Sequence, residues 1–222
     1  MSERPACEPG GRFLREGAAG LCLEFVNTVA WRGTAAPEER LAAPPDLLGW
    51  CVGSGILAAG EAAQLGARWE DRPAEALACH GRALALREAI YRIFRSGITG
   101  YKVPADALRI LNEALAEAPT RARIAWDGEH FGWLVGSERA AGWDVLAPIV
   151  WSAADLLTAP RLYRVRECAH ARCGWLFLDE SRAGSRRWCS MEACGNRAKA
   201  RRHYLRKKGR ASIASPNARR GG

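Results

Sequence analysis

The chain has 222 residues, of which 48% are hydrophobic, and a formal net charge of +9. This size allows one ordinary domain and a small additional module, and the composition argues against a wholly disordered chain. There is no run of about eighteen apolar residues, so no membrane span is expected. The N-terminus lacks a basic segment followed by an apolar one, so we expect no signal peptide and a cytoplasmic location.

The charge of the chain is distributed very unevenly. From residue 161 to residue 222 there are 17 Lys and Arg against four acids, which gives +13 and leaves −4 for the first 160 residues. Such polarity predicts a polyanion-binding end attached to a body with another task.

The first part of the chain begins without a clear element. Residues 1–19 are rich in Gly, Pro and charge, and we expect a loose leader. Leu21–Trp31 carries both an alternating and a helical apolar pattern, and its length favours a helix. Residues 33–45 are Pro- and Ala-rich and predict a loop, in which Glu38-Glu39 is interpreted as solvated.

The rest of the body, which we place at residues 20–160, is mainly helical in pattern. Asp46 is a candidate N-cap for a short helix ending at Gly53 and Gly55, and a later helix has Leu108, Leu111 and Leu115 on one face. Within the helical stripes, Cys22, Cys51 and Cys79 are expected to be buried small hydrophobes. Predicted helices cover Asp46–Cys51, Glu61–Trp69, Pro73–Arg95, a segment from Pro104, and Trp143–Leu157 with Pro148 at a late start or kink.

A small β element interrupts these helices. Arg121–Trp126 and His130–Val135 flank Asp127-Gly128, which predicts a β-hairpin around a short turn. The predicted fold class is therefore mainly α, a helical N-terminal domain with a small β-hairpin, followed by a separate C-terminal module.

Four cysteines form two equal pairs near the C-terminus. Cys168 and Cys173 are separated by four residues, as are Cys189 and Cys194, with fifteen residues between the pairs. Cysteines without a secretion signal favour metal binding over disulfides, and four thiolates suit tetrahedral Zn²⁺. A strand at Trp175–Leu178 is expected to pair with Leu162–Glu167.

The same residues allow two alternatives to structural zinc. Four cysteines also hold iron–sulfur clusters, and four reduced cysteines could be spaced this way without any metal. His170 lies between the first two cysteines and is interpreted as a loop residue rather than a ligand. The preferred interpretation is a zinc module at residues 161–210, with residues 211–222 as a disordered tail.

A basic segment follows the last cysteine. Eight Lys and Arg and no acid occur from Arg197 to Arg210, in a composition that favours a helix ending at Gly209. We expect this helix to contact DNA, with RNA or a protein partner as alternatives that charge alone does not separate. The candidate nucleic-acid contacts are Arg186, Arg187, Asn196, Arg197, Lys199, Arg201, Arg202, Arg206 and Lys207.

Two motifs resemble known families. The string Arg186–His203, with Cys194-Gly195-Asn196-Arg197 at its centre, and the segment Tyr163–Asp179 resemble the CGNR zinc finger. Leu21–Val29 is similar to the opening motif of the ABATE domain, which commonly precedes this finger in bacterial proteins. The resemblance implies a bacterial, stress-associated transcription regulator, with the four cysteines as zinc ligands.

The role of the helical body is less constrained. We find no nucleophile motif or phosphate-binding glycine loop, so we do not expect an enzyme. Asn27, Trp31, Arg32 and Trp50 are candidates for the lining of a small-molecule effector pocket. The alternative is that Asn27 and Thr28 satisfy local backbone groups and that the two tryptophans belong to the core. A single finger has a small footprint on DNA, so a homodimer formed through the body is also considered.

Overall fold

The computed structural model describes residues 11–15, 20–121, 123–126, 129, 131–136 and 143–213. Its helices are α1 (Leu21–Val26), α2 (Pro44–Gly53), α3 (Ala59–Asp71), α4 (Pro73–Thr99), α5 (Ala105–Glu117), α6 (Ala147–Thr158) and α7 (Asn196–Ile213). The strands are β1 (Gly11–Arg15), β2 (Val29–Ala30), β3 (Glu38–Glu39), β4 (Arg123–Trp126), β5 (Phe131–Gly136), β6 (Val165–Glu167) and β7 (Leu176–Leu178). The predicted mainly α fold is confirmed.

Helix α4 is the central element of the body. Pro73 stands in its first turn, where a missing N–H is tolerated, and Gly100 ends it in a left-handed conformation with φ of 72°. Helices α1, α2, α3 and α5 and strand β6 all contact α4. Within the described part of the chain, none of the helices is long and apolar enough to cross a membrane. The predicted apolar stripe of α4 is buried throughout: Cys79, Ala83, Leu86, Ile90, Ile93 and Phe94.

The first helix is shorter than the sequence predicted. α1 stops at Val26 because the Thr28 hydroxyl donates to the Phe25 carbonyl at 2.8 Å and the chain turns away. Strand β2 follows and pairs antiparallel with β3, in the register Val29↔Glu39 and Ala30↔Glu38. The prediction of a helix as far as Trp31 was therefore wrong for this last part.

Glu38 and Glu39 are exposed as predicted, but they form a strand rather than a loop, and Glu39 is held by an ion pair. Both carboxylate oxygens accept from Arg87 at 2.6 Å, and Arg87, which is 3% exposed, also donates to the Thr28 hydroxyl at 3.1 Å. Burial acts to raise the pKa of Glu39, but the hydrogen bonds from Arg87 and from the Leu41 N–H outweigh it and hold the pKa below its ordinary value. The β2–β3 hairpin is thereby fixed to α4.

The β element of the body is larger than predicted. The expected hairpin is present as β4 and β5, while its turn at Asp127-Gly128 lies outside the described residues. Strand β1 adds to the other edge of β5, with Gly11↔Gly136 and Arg15↔Gly132 as the outer pairs. Residues 11–15, which the sequence placed in a loose leader, thus belong to a three-stranded sheet in the order β1-β5-β4.

Two predicted helices differ in their details. Helix α2 begins at Pro44, and Asp46 is not the N-cap residue but accepts from the Ala43 N–H at 2.8 Å. In α5, Leu108 is 42% exposed, so it does not belong to the inward face as predicted. That face consists of Ala107, Leu111 and Ala114.

The last helix of the body starts late, as Pro148 indicated. A 3₁₀ turn, Trp143–Leu146, precedes α6, and Pro148 occupies the first helical turn, where it disturbs no hydrogen bond. Cys22 and Cys51 are fully buried, and burial raises the pKa of Cys22 to about 12 and that of Cys79 to about 11. Cys22, Cys51 and Cys79 are therefore buried residues of the hydrophobic core, as predicted.

Candidate metal centre and nucleic-acid interface

Strands β6 and β7 form an antiparallel hairpin that belongs to two cores at once. Val165 pairs with Leu178 and Glu167 with Leu176. Val165 and Leu176 are buried within the main core of the body. On the other side, Phe177 packs with cysteines and two tryptophans in a second, smaller core. Because side chains alternate across a strand, one short hairpin joins the body to the cysteine site.

The four predicted cysteines converge on one point. Their sulfur atoms all lie within 4.8 Å of one another. Cys173 Sγ and Cys189 Sγ are 3.7 Å apart, as are Cys189 Sγ and Cys194 Sγ. Four sulfurs at about 2.3 Å from a tetrahedral Zn²⁺ would be about 3.8 Å apart, so the arrangement has the size of a zinc site. His170 is not a member of the cluster.

The four sulfurs are close enough to change one another's pKa values. Hydrogen bonds from Cys173 and Cys189 hold the pKa of the Cys168 thiol far below its ordinary value. The same interaction with Cys168 raises the pKa of Cys173 to about 12 and also raises that of Cys189. Burial raises the pKa of Cys194. Four adjacent sulfurs do not all carry a negative charge on their own, and a divalent cation compensates for this repulsion.

Two loop features hold the first ligand pair and the segment before the second. Gly174 has φ of 71°, and a Cβ atom there would lie 2.7 Å from the Arg32 Cβ, so only glycine fits. Asp179 is fully buried and accepts hydrogen bonds from the hydroxyl and N–H of Ser181 and from the N–H of Arg186. These hydrogen bonds hold the pKa of Asp179 below its ordinary value, and the bond from the Ser181 hydroxyl has the largest effect.

The last ligand is built into the start of the basic helix. A π-helical turn, Met191–Gly195, leads directly into α7, and the Ser190 hydroxyl caps it by accepting from the Ala193 N–H at 3.3 Å. Cys194 lies in this turn, so a metal ion held by it also holds the first turn of α7. The N-terminal end of the helix dipole favours thiolate charge at this position.

Helix α7 extends beyond its predicted end. It continues through Gly209 to Ile213, so Gly209 does not stop it and residues 211–213 are helical rather than disordered. Lys199, Arg202 and Arg206 line one shallow surface together with Leu205. The exposed candidate contacts on this helix are Asn196, Arg197, Lys199, Arg201, Arg202, Arg206 and Lys207.

Three of the candidate arginines already have partners in the protein. The Arg186 guanidinium lies 4.7 Å from the Phe177 ring centre and donates to the carbonyls of Trp188 and Cys189. The Arg187 guanidinium lies 5.5 Å from the Trp188 ring centre. The Arg197 guanidinium lies 4.5 Å from the ring centre of Trp31, which belongs to the body.

The residues considered as an effector pocket lie in two places. Asn27 and Arg32 contact the finger: Asn27 Nδ2 donates to the Leu176 carbonyl at 2.8 Å, and the Arg32 N–H donates to the Cys173 carbonyl at 3.1 Å. Trp31 lies beside them, whereas Trp50 packs against Phe25 with 5.1 Å between ring centres. The four residues therefore do not line one pocket together.

A groove of about 320 Å³ does lie at the junction of body and finger. Arg32 is part of its lining, and its guanidinium pairs with Glu88 at 2.7 Å and lies 4.1 Å from the Tyr91 ring centre. Arg95 and Glu167 approach each other at 3.5 Å on its side. The groove is lined by Val29, Arg32, Gly33, Pro37, Tyr91, Arg95, Glu167, Cys168, His170, Ala171 and Gly174.

Sequence reasoning missed the residues that join the two parts. Trp175 Nε1 donates to the Val29 carbonyl at 2.9 Å, and a Cβ at Gly33 would lie 2.2 Å from the Ala171 carbonyl oxygen. Asn27 was assigned a local role, yet its partner is 149 positions away. The sequence carries no periodic signal for such contacts.

The fold and the cysteine cluster define a helical body that carries a four-cysteine zinc finger with a basic helix. Two family models match the chain: ABATE, described as a "putative stress-induced transcription regulator", over residues 19–160, and the CGNR zinc finger over residues 164–207. The chain belongs to the ABATE family and contains a CGNR zinc finger, and neither description names an enzyme. No curated protein matches the chain significantly. The cysteine cluster and the finger family together identify structural zinc as the cofactor.

Proposed function

We propose that this protein is a bacterial, cytoplasmic transcription regulator that binds duplex DNA through α7, and that it is not an enzyme. The observation that carries the proposal is the helix itself. Its sequence contains eight Lys and Arg and no acid, and residues 201–207 are all exposed. Such a surface suits a row of phosphates.

The dimensions of α7 favour duplex DNA over the alternatives. Its 18 residues make a rod of roughly 27 Å. The major groove of B-form DNA is about 12 Å wide and admits a helix, whereas that of A-form RNA is too narrow for side chains to read. Lys199, Arg202 and Arg206 would take phosphates or base edges from one face, and Asn196, Arg201 and Lys207 would extend the footprint. An RNA-binding or protein-docking finger is the alternative.

The zinc ion would supply rigidity rather than chemistry. With four protein thiolates it has no open coordination position for a substrate. Its effect would be to hold Cys194, and hence the first turn of α7, against the β6–β7 hairpin. Cytoplasmic location agrees with the cysteines of the described residues, none of which forms a disulfide bond.

We propose that the body serves as a sensor or as a dimerisation surface. Ile124, Trp126 and Phe131 of the β4–β5 hairpin are 65%, 48% and 71% exposed, which suits a contact with a second copy. The groove at the junction of body and finger is the corresponding place for an effector. Sedimentation velocity of the wild type and of Trp126→Ser separates these roles, because only the dimer hypothesis expects a wild-type dimer that the variant loses.

The DNA-binding proposal is tested by selecting bound sequences from random duplex DNA with the full chain, while zinc is measured on the same sample. We expect enrichment of a short sequence by a protein with one zinc per chain. No enrichment, together with retention of RNA or of no nucleic acid, would contradict DNA recognition.

A further inference from the structure

Trp31 has an unusual backbone conformation. Among the described residues it is the non-glycine residue with positive φ, at 57°. This left-handed region is unfavourable for a residue with a Cβ, and such residues persist where their surroundings hold them. Here the Trp31 carbonyl accepts from the Thr34 N–H at 3.0 Å and from its hydroxyl at 2.8 Å. The next residue, Arg32, donates its N–H to Cys173 of the finger.

The strained backbone places the indole ring between the finger and the basic helix. The His170 ring meets it edge-on with 6.1 Å between ring centres. The Arg197 guanidinium lies over the indole face, 4.5 Å from its centre, in the geometry of a cation–π contact. A residue of the body thus contacts the first turn of a helix that the finger carries.

We infer that Trp31 is a positioning residue that sets the direction of α7 through Arg197. A helix held by zinc only at Cys194 is fixed at one point of its first turn and can still tilt. Arg197 lies three residues later, about 4.5 Å further along the axis, and gives the helix a second point of attachment. The consequence is that Arg197 serves the body rather than the DNA. This consequence rests on the proposed function, whereas the positioning itself does not.

The variant Trp31→Gly removes the indole ring but allows the backbone to keep its conformation. Glycine adopts positive φ without strain, and the hydrogen bonds around residue 31 involve only its carbonyl oxygen, so they are retained. Residual dipolar couplings of the zinc-loaded full chain report the orientation of α7 relative to α4. In the wild type we expect one alignment tensor to fit both helices. In Trp31→Gly and in Arg197→Ala, we expect the couplings of α7 to deviate from the alignment tensor that fits α4. The zinc content should stay at one per chain in both variants.

Tyr101→Gly is the matched control, because it removes an aromatic ring that is 78% exposed on the body. In Tyr101→Gly, one alignment tensor should still fit the couplings of both α4 and α7. If one tensor also fits both helices in Trp31→Gly and in Arg197→Ala, the inference is wrong, whether or not the protein binds DNA. If Trp31→Gly does not fold, Arg197→Ala decides alone, since alanine suits an exposed helical position.

Salt dependence of DNA binding tests the second half of the inference. Removing a phosphate contact lowers the slope of log affinity against log salt by about 0.9. We expect Arg202→Ala to do so, and Arg197→Ala to weaken binding about threefold with the wild-type slope. An Arg197→Ala slope that falls as in Arg202→Ala would overturn the assignment. Absence of DNA binding by the wild type would instead contradict the proposed function, and the dipolar couplings would still decide the positioning role.

Discussion

The Asn27 side-chain amide pairs with both backbone groups of Leu176. Nδ2 donates to the Leu176 carbonyl at 2.8 Å, and Oδ1 accepts from its N–H at 3.0 Å. Asn27, at the end of α1, thus makes the two backbone hydrogen bonds that a neighbouring strand would make with β7. Since Leu176 is fully buried in the core of the body, the pairing makes the finger part of the body rather than an appendage.

Replacing Asn27 by Asp tests this junction. Aspartate keeps an acceptor but loses the donor, which leaves the Leu176 carbonyl unpaired in a partly buried place. We expect a loss of about 2 kcal/mol in the free energy of unfolding and faster zinc release to a chelator. Urea unfolding and a colorimetric zinc assay measure both quantities. Asn112→Asp, on the exposed side of α5, is the control and should change neither. Zinc release at the wild-type rate from Asn27→Asp would mean that the junction does not support the metal site.

A pair of glycine variants measures how closely body and finger approach. Gly174 and Gly184 both have positive φ, at 71° and 58°, but only a Cβ at Gly174 would meet a neighbour, the Arg32 Cβ at 2.7 Å. Gly184→Ala should lose about 1 kcal/mol of stability from backbone strain alone. Gly174→Ala should lose about 3 kcal/mol, since it adds overpacking. If chemical denaturation gives equal losses of stability for both variants, Arg32 moves aside without an energetic cost, and the close approach does not contribute.

The cysteines predict one zinc per chain. Cys189→Ser should lose the metal, because it removes one of four converging thiolates, and should unfold the small core around Phe177. Cys79→Ala removes a buried thiol of α4 that lies outside the cluster, so it should keep one zinc per chain at reduced stability. Metal analysis by mass spectrometry distinguishes the two. A zinc-loaded Cys189→Ser variant would contradict the assignment of Cys189 as a ligand.

The Glu39–Arg87 ion pair predicts a dependence of stability on pH. The pKa of Glu39 in the folded state lies below its ordinary value of 4.5, so its stabilising contribution is present above about pH 4.5 and is lost as the pH falls through the folded pKa. The stability difference between wild type and Glu39→Gln should therefore shrink as the pH is lowered from 7 to 3. Urea midpoints at each pH measure this difference.

The neighbouring glutamate provides the matched control for this titration. Glu38 is exposed and meets Arg40 at 3.4 Å, so Glu38→Gln should differ little from the wild type at any pH. A constant difference between wild type and Glu39→Gln across the range would show that the ion pair contributes no pH-dependent stability.

The sequence predicted those parts of the molecule that repeat a simple period. The stripe of α4 and the four cysteines follow from spacing alone, since one buried face or one metal ion imposes it. The hairpin at β4 and β5 follows from the turn residues Asp127-Gly128 between two strand-like segments. Helix ends were predicted less well. Asp46 and Gly209 carry the residue types of a helix start and stop, yet α2 begins at Pro44 and α7 runs to Ile213.

Contacts between distant segments could not be predicted. The ion pair of Glu39 was missed because its partner Arg87 comes 48 positions later, and the contact of Asn27 with Leu176 was missed for the same reason. Strand β1 was missed because only pairing with β5 gives its five residues an extended form. Of the candidate DNA contacts, composition could not separate Arg197, which lies over Trp31, from Arg202, which lies on one surface with Lys199 and Arg206.

The central claim, that a zinc-mounted α7 binds DNA, is tested most directly by the affinity for duplex DNA as salt is varied, with and without a zinc chelator. We predict affinity that falls steeply with salt, is lost on chelation, and has a slope lower by about 1.8 in Arg202→Ala/Arg206→Ala, since two phosphate contacts are removed. Affinity that is independent of salt, or unchanged after removal of zinc or of both arginines, would contradict the account.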